Sequence, residues 1–194
     1  MIKSRKELKE YLDYEFKKYF SKTSKFKVWL FSELLLGEKN VIWKFQKNLR
    51  KLEYFINTNK KFRGLILKIK HTRLSIKLGL HIPPNSFEKG LKIMHLGSIL
   101  VNGNARIGRD CSIHINTNIV AGGNTHDAPV LGDSVVISVG ASIIGGVKIG
   151  DNCVIGAGAV VTKSFDNNVT VGGVPAKIIS FNGSDSWRNI NLSN

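Results

Sequence analysis

The strongest pattern in the chain is a period of six between residues 101 and 166. Every sixth residue from Val101 reads Val101, Ile107, Ile113, Ile119, Thr125, Leu131, Ile137, Ile143, Ile149, Ile155 and Val161. Ten of these eleven are aliphatic, although Ile, Leu and Val fill only 20 of the 66 positions, so the spacing carries information that composition does not. A second phase, four residues after the first, is mostly small: Ala105, Cys111, Thr117, Gly123, Val135, Ala141, Val147, Cys153 and Ala159. Corner sequences stand between the phases, as in Gly108-Arg109-Asp110, Gly132-Asp133-Ser134 and Gly150-Asp151-Asn152. Such residues accept unusual backbone angles or bond their own main chain. A period of six suits neither an amphipathic helix nor an alternating strand. It predicts short strands joined by regular corners, wound into a parallel β-helix whose coils bury their aliphatics against one another. The phase fails only at Thr125, which predicts an outward loop there, and loops on a rigid scaffold tend to carry function.

Before residue 83 the periodicity is helical. Ser4 and Glu7 can form a capping box, after which Leu8, Tyr11, Leu12, Phe16, Tyr19 and Phe20 mark one apolar face. Further helices are expected over Lys25–Leu36, Val41–Ile56 and, less sharply, Leu65–Leu80, with Trp29 and Trp43 as core or interface residues. His81-Ile82-Pro83-Pro84-Asn85 marks the boundary, because paired prolines end a helix and favour an extended entry. The expected division is a basic α-helical domain over 1–82, a β-helix over 83–179 and a polar, flexible tail over 180–194.

Charge sharpens that division. Residues 1–90 hold 22 Lys and Arg against 8 Asp and Glu, whereas residues 91–194 hold 7 against 6, so nearly all of the net +15 lies in the helical part. The excess reads as a solvated face, as attraction to an anionic membrane surface or lipid-linked substrate, or as phosphate binding. No nucleic-acid motif accompanies it, so nucleic acid is not expected as a partner. The N-terminus is charged where a secretory signal needs an apolar segment. Cys111 and Cys153 fall on the small inward phase and read as buried free thiols, which implies a reducing cytoplasm.

Three histidines stand out against the aliphatic repeat: His95, His114 and His126. His95 precedes Leu96-Gly97-Ser98, where small residues would leave room for a substrate, and His114 follows it by nineteen positions, so that if a coil takes about three six-residue sides the two histidines stand nearly above one another. His126 lies where the repeat fails. Each also reads as an ordinary structural or loop residue. Their spacings, nineteen and twelve, do not suggest a metal set, and no metal is expected. No P-loop or dinucleotide fingerprint occurs.

At these residues the chain resembles the hexapeptide-repeat acyltransferases, whose fold is a left-handed parallel β-helix. The segment from Ile93 to Val101 is similar to that around the catalytic histidine of the serine acetyltransferase branch. The stretch from Ile149 to Lys163, followed by Gly173-Val174-Pro175-Ala176-Lys177, is similar to the family's acetyl-CoA end. The resemblance covers about residues 83–179. It implies a mainly β fold after a small helical domain, acetyl-CoA as co-substrate, a homotrimer, and a groove between subunits for CoA. Gly140, Ala141, Ala157 and Gly158 would let the pantetheine arm approach, and Thr162, Lys163 and Lys177 would meet its polar end. His95 would be the general base, helped by His114 or His126.

The chain departs from the serine branch at Met94, where that branch has an aspartate, and at Asp127-Ala128, where it has an arginine-histidine pair before the matching Pro129. The helical part is also shorter. Those departures move the expected acceptor from serine to a sugar hydroxyl of a surface polysaccharide or its precursor, with serine as the alternative. A third expectation, from another class, is a silent trimeric scaffold whose basic helices dock on a membrane or partner.

Overall fold

A computed structural model describes residues 1–20, 37–123 and 127–186. The helix expected over Lys25–Leu36 lies outside the described residues, as does His126. Helix α1 spans Arg5–Tyr19, and its capping box forms as the sequence predicts, with Ser4 accepting from the Glu7 N–H and Glu7 reaching back. Helix α2 spans Glu38–Asn57 and α3 spans Lys61–Leu78, ending at Gly79 in the left-handed conformation that suits a glycine cap.

The repeat region forms a prism of three parallel walls. One stacks β1 (Leu80–His81), β3 (Ile99–Val101), β6 (Thr117–Val120), β9 (Ser142–Ile144) and β12 (Val160–Val161). A second stacks β4 (Arg106–Ile107), β7 (Val130–Leu131) and β10 (Lys148–Ile149). The third stacks β2 (Lys92–Ile93), β5 (Ser112–Ile113), β8 (Val136–Ile137), β11 (Val154–Ile155) and β13 (Thr170–Gly172), closed by antiparallel β14 (Lys177–Ser180). Strand pairing thus begins at Leu80, just ahead of the prolines. Both repeat phases point inward: Ile113, Ile119, Ile137, Ile143, Ile155 and Val161 are fully buried, as are Ala105, Cys111, Ala141, Cys153 and Ala159. Both cysteines are free.

The corners explain the Gly-Asp spelling. Asp133 Oδ1 accepts the Arg109 N–H at 2.7 Å, Asp151 Oδ1 accepts the Asp133 N–H at 2.7 Å, and Asn167 Oδ1 accepts the Asp151 N–H at 2.7 Å. Each side chain fills the space beside the glycine of the coil before it; a β-carbon on Gly132 would overlap Asp151. One coil is longer than its neighbours. Ile113 pairs with Ile137, 24 positions on (137 less 113), while Ile137 pairs with Ile155, 18 on (155 less 137). The extra six residues equal one repeat, so the phase survives on both sides of Thr125.

The helical part joins the prism through shared core and buried charge. Ile42, Phe45 and Leu49 of α2 pack in the same cluster as Leu80, Leu91, Ile93 and Ile99. Beside them Arg50, wholly buried, pairs with Glu15 of α1 at 2.7 Å and Glu53 at 2.9 Å. It also donates to the Phe87 carbonyl at 2.9 Å and the Glu88 carbonyl at 2.7 Å. Burial alone would lower its pKa, but the two carboxylates outweigh that and raise it, so the guanidinium stays charged. The tail does not start loose at residue 180. Ser184 is buried, its hydroxyl lies 2.6 Å from both the Ser134 carbonyl and Asn152 Oδ1 and donates its one hydrogen between them, and its N–H donates to the Asn152 carbonyl, which ties 181–186 back onto the corners.

Candidate functional site

His95 follows β2 at the junction of the prism and α2. Its side chain is 57% exposed, and Nδ1 lies 3.3 Å from Oε2 of Glu38 in the first turn of α2. The other carboxylate oxygen accepts the Leu96 N–H at 2.8 Å, so Glu38 is held by the wall it orients. That backbone bond is the main cause of the depressed Glu38 pKa; slight burial opposes it and His95 adds to it. A carboxylate at Nδ1 favours a proton there and leaves the Nε2 lone pair outward, the tautomer being inferred from this partner. Gly97, two residues on, has φ +155, and a β-carbon there would sit 2.9 Å from Ile115 Cγ2, so the wall beside the imidazole can carry no side chain at that point.

His114 comes close to His95, with ring centroids 6.2 Å apart. The ladder register differs from the expected stacking by one residue. Lys92 pairs with Ser112 and Ile93 with Ile113, and the Met94 N–H continues the ladder to the Ile113 carbonyl, so Met94 rather than His95 is level with His114. The coil here holds twenty residues (113 less 93), not nineteen. The His114 ring is half-buried; burial first, then the charges of His95 and Lys92, push its pKa below the ordinary histidine value. It is therefore neutral at neutral pH.

The residues expected to meet CoA lie further along the stack. Gly140 and Gly158 occupy stacked corners with φ +72 and +66, and the Gly158 N–H bonds the Val139 carbonyl at 2.9 Å. Ala157 and Gly158 are exposed. Ala141 is wholly buried, so its methyl fills the prism and a ligand outside would meet the main chain of Gly140 instead. Thr162, Lys163 and Lys177 are exposed, with Lys163 Nζ 5.5 Å from the Phe165 ring centroid. Ala157 stands three coils beyond His95, about 14 Å at the usual ~4.8 Å spacing, a span suited to an extended ligand.

Sequence reasoning did not find Glu38. It belongs to no repeat, and an acidic residue in the first turn of a helix reads as a partner for the helix dipole. The only signal is its place at the start of a helix whose Ile42, Phe45 and Leu49 enter the prism core.

Residues 128–163 match the bacterial transferase hexapeptide family of six repeats. The serine acetyltransferase of Buchnera aphidicola subsp. Acyrthosiphon pisum is 35% identical over 133 residues, 66% of this chain and 47% of that protein. The chain thus spans about half the length of the curated relatives it matches. The crystal structure of serine acetyltransferase from Brucella abortus strain S19 has a TM-score of 0.70 at 25% identity, covering 92% of this chain and 71% of that one. A serine acetyltransferase in complex with CoA shares the fold, with a TM-score of 0.70 at 23% identity over 90% of this chain and 71% of that one. The architecture common to them and to this chain is a left-handed parallel β-helix after a helical region.

Proposed function

We propose, from a repeat region that belongs to the bacterial hexapeptide transferases, that this chain is an acetyl-CoA-dependent O-acetyltransferase with His95 as general base. The observation that carries the reading is the exposed imidazole held at Nδ1 by Glu38. Nε2 takes the proton of the acceptor hydroxyl as its oxygen attacks the thioester carbonyl. The imidazolium then returns that proton to the departing CoA sulfur, so the base is regenerated. A positioned base of this kind contributes about 10²–10⁴-fold. His114, whose ring centroid is 6.2 Å from that of His95 and whose pKa is lowered chiefly by burial, is the proposed helper of the base.

The relatives move the choice of acceptor. They are serine acetyltransferases, and the expected saccharide of a surface polysaccharide finds no support among them. L-Serine is therefore the first acceptor proposed. A sugar hydroxyl remains the second reading on one observation: Met94 stands where the serine branch has an aspartate, and Asp127-Ala128 where it has an arginine-histidine pair. A homotrimer with the donor between subunits belongs to the same proposal, and it is supported by the outward aliphatics Leu100, Val130 and Val139, which are 44%, 44% and 42% exposed on the coils. Two buried free thiols suit a reducing cytoplasm.

A thiol-release assay with acetyl-CoA tests the reading, comparing L-serine with nucleotide sugars and oligosaccharides. Turnover is expected with one acceptor class, and His95→Ala should lower it about 10²–10⁴-fold without changing the circular dichroism. Near-normal rates in that variant would remove His95 from the reaction. No thiol release with any acceptor would leave a scaffold.

A further inference from the structure

Helix α3 is apolar on two faces. Its inner face holds the buried Gly64, His71 and Ser75 and packs the partly buried Leu74 and Leu78 against the core, while on the outer face Phe62, Leu65, Ile66, Ile69 and Ile76 are 76%, 57%, 52%, 47% and 70% exposed. At about 100° per residue these five side chains fall within an arc of roughly 100°, opposite the buried face. Arg63, Lys70 and Lys77 run along one border of the arc and Lys61 and Lys68 along the other, with Arg73 inside it. Residues 61–78 contain no Asp or Glu. The apolar surface continues onto Ile56 of α2, which is 47% exposed and lines a groove with Leu65 and Ile76.

We propose that α3 is an interfacial helix that lies on an anionic phospholipid bilayer, its apolar arc in the acyl boundary and its two cationic rails against the headgroups. An apolar stripe between Lys/Arg rails is the pattern of helices that lie in a membrane surface, where long cationic side chains reach back to the phosphates. Charge decides between occupants. A second copy set face to face would oppose six cations to six with no acid on either helix, whereas an anionic lipid surface neutralises them. Among the described residues no helix is long and apolar enough to cross a membrane, so the contact is peripheral. The proposal does not depend on the reaction.

Flotation of the full chain with vesicles tests it. One set is phosphatidylcholine alone, and the other contains one quarter phosphatidylglycerol. The protein should float with the anionic set, and raised salt should weaken the binding. Each cation near an anionic surface adds about fivefold, so K68E/K70E/K77E should reduce partitioning by at least about 100-fold. F62S/I66S/I69S should reduce it at least about tenfold. All six side chains are exposed, so both variants should keep the melting curve of the parent. His95→Ala should bind vesicles unchanged, which separates this inference from the reaction. The proposal fails if the parent chain stays unbound with anionic vesicles. It also fails if binding ignores lipid charge, or if the apolar variant only breaks up an oligomer in sedimentation velocity.

Discussion

Inside the prism Ile93, Ile113, Ile137, Ile155 and Val171 stand one above another, and no charge enters the column. The helices are joined to the first coil differently, through Arg50, Glu15, Glu53 and Gln46, all buried, and through main-chain bonds to Phe87, Glu88, Gly90 and Leu91. The column is repetitive, so each layer is supported by the next and a local fault is shared. The ionic joint occurs once, and every member depends on the others. The candidate site straddles the two: His95 belongs to the stack and Glu38 to the helix. The helical region is therefore part of the site as well as of the fold.

The largest test of that contrast removes the centre of the joint. Arg50→Met strands two buried carboxylates, and breaking a buried pair in this way costs about 3–5 kcal/mol. Set against a usual total of about 5–15 kcal/mol, that is a large part of the stability. Adding Glu15→Gln and Glu53→Gln should recover much of it, because replacing a whole buried network is often close to neutral. Urea denaturation of the single and triple variants measures both. A single variant as stable as the parent would mean that the shared core alone holds the helices.

Glu38→Gln is the next step down and asks whether the helix matters to the chemistry. Glutamine keeps an oxygen for the Leu96 N–H but gives the imidazole a neutral partner. The rate should fall by about tenfold or more within the ~10²–10⁴-fold worth of the base, mainly in kcat, with no change in Tm. Glu38→Asp should recover part of the loss. An unchanged kcat would assign the orientation of His95 to the wall alone.

The same contrast explains what the sequence could show. A period of six is a statement about neighbours in space, so the walls, the inward cysteines and the long coil at Thr125 could all be read from spacing. The one-residue offset at His114 could not, because it depends on how a corner after Gly97 is threaded. Glu38 was hidden for a different reason: its partner lies 57 positions away in another element, and no local pattern encodes that. The helices themselves were legible as apolar runs, least sharply over Leu65–Leu80, where the sequence does not say which apolar face of α3 turns outward. Only packing shows that the opposite face was buried.

The smallest expected effect compares one imidazole from each region. His71 in α3 is buried with Nε2 3.0 Å from the Ile82 carbonyl, and burial pushes its pKa down more than that bond raises it. His114 in the stack is shifted the same way, again chiefly by burial. A histidine whose pKa is depressed in the folded state takes up its proton more readily when unfolded. Its contribution to stability is complete above the unfolded value of about 6.5 and is lost as pH falls below it. The melting temperature should therefore decline as pH falls below about 6.5, the unfolded histidine value. His71→Gln retains a donor for the Ile82 carbonyl and cannot titrate, so its decline should be shallower than the parent's. The deeper burial of His71 predicts that His114→Gln flattens the curve less. The reverse order would place the acid-sensitive point in the stack instead of under α3.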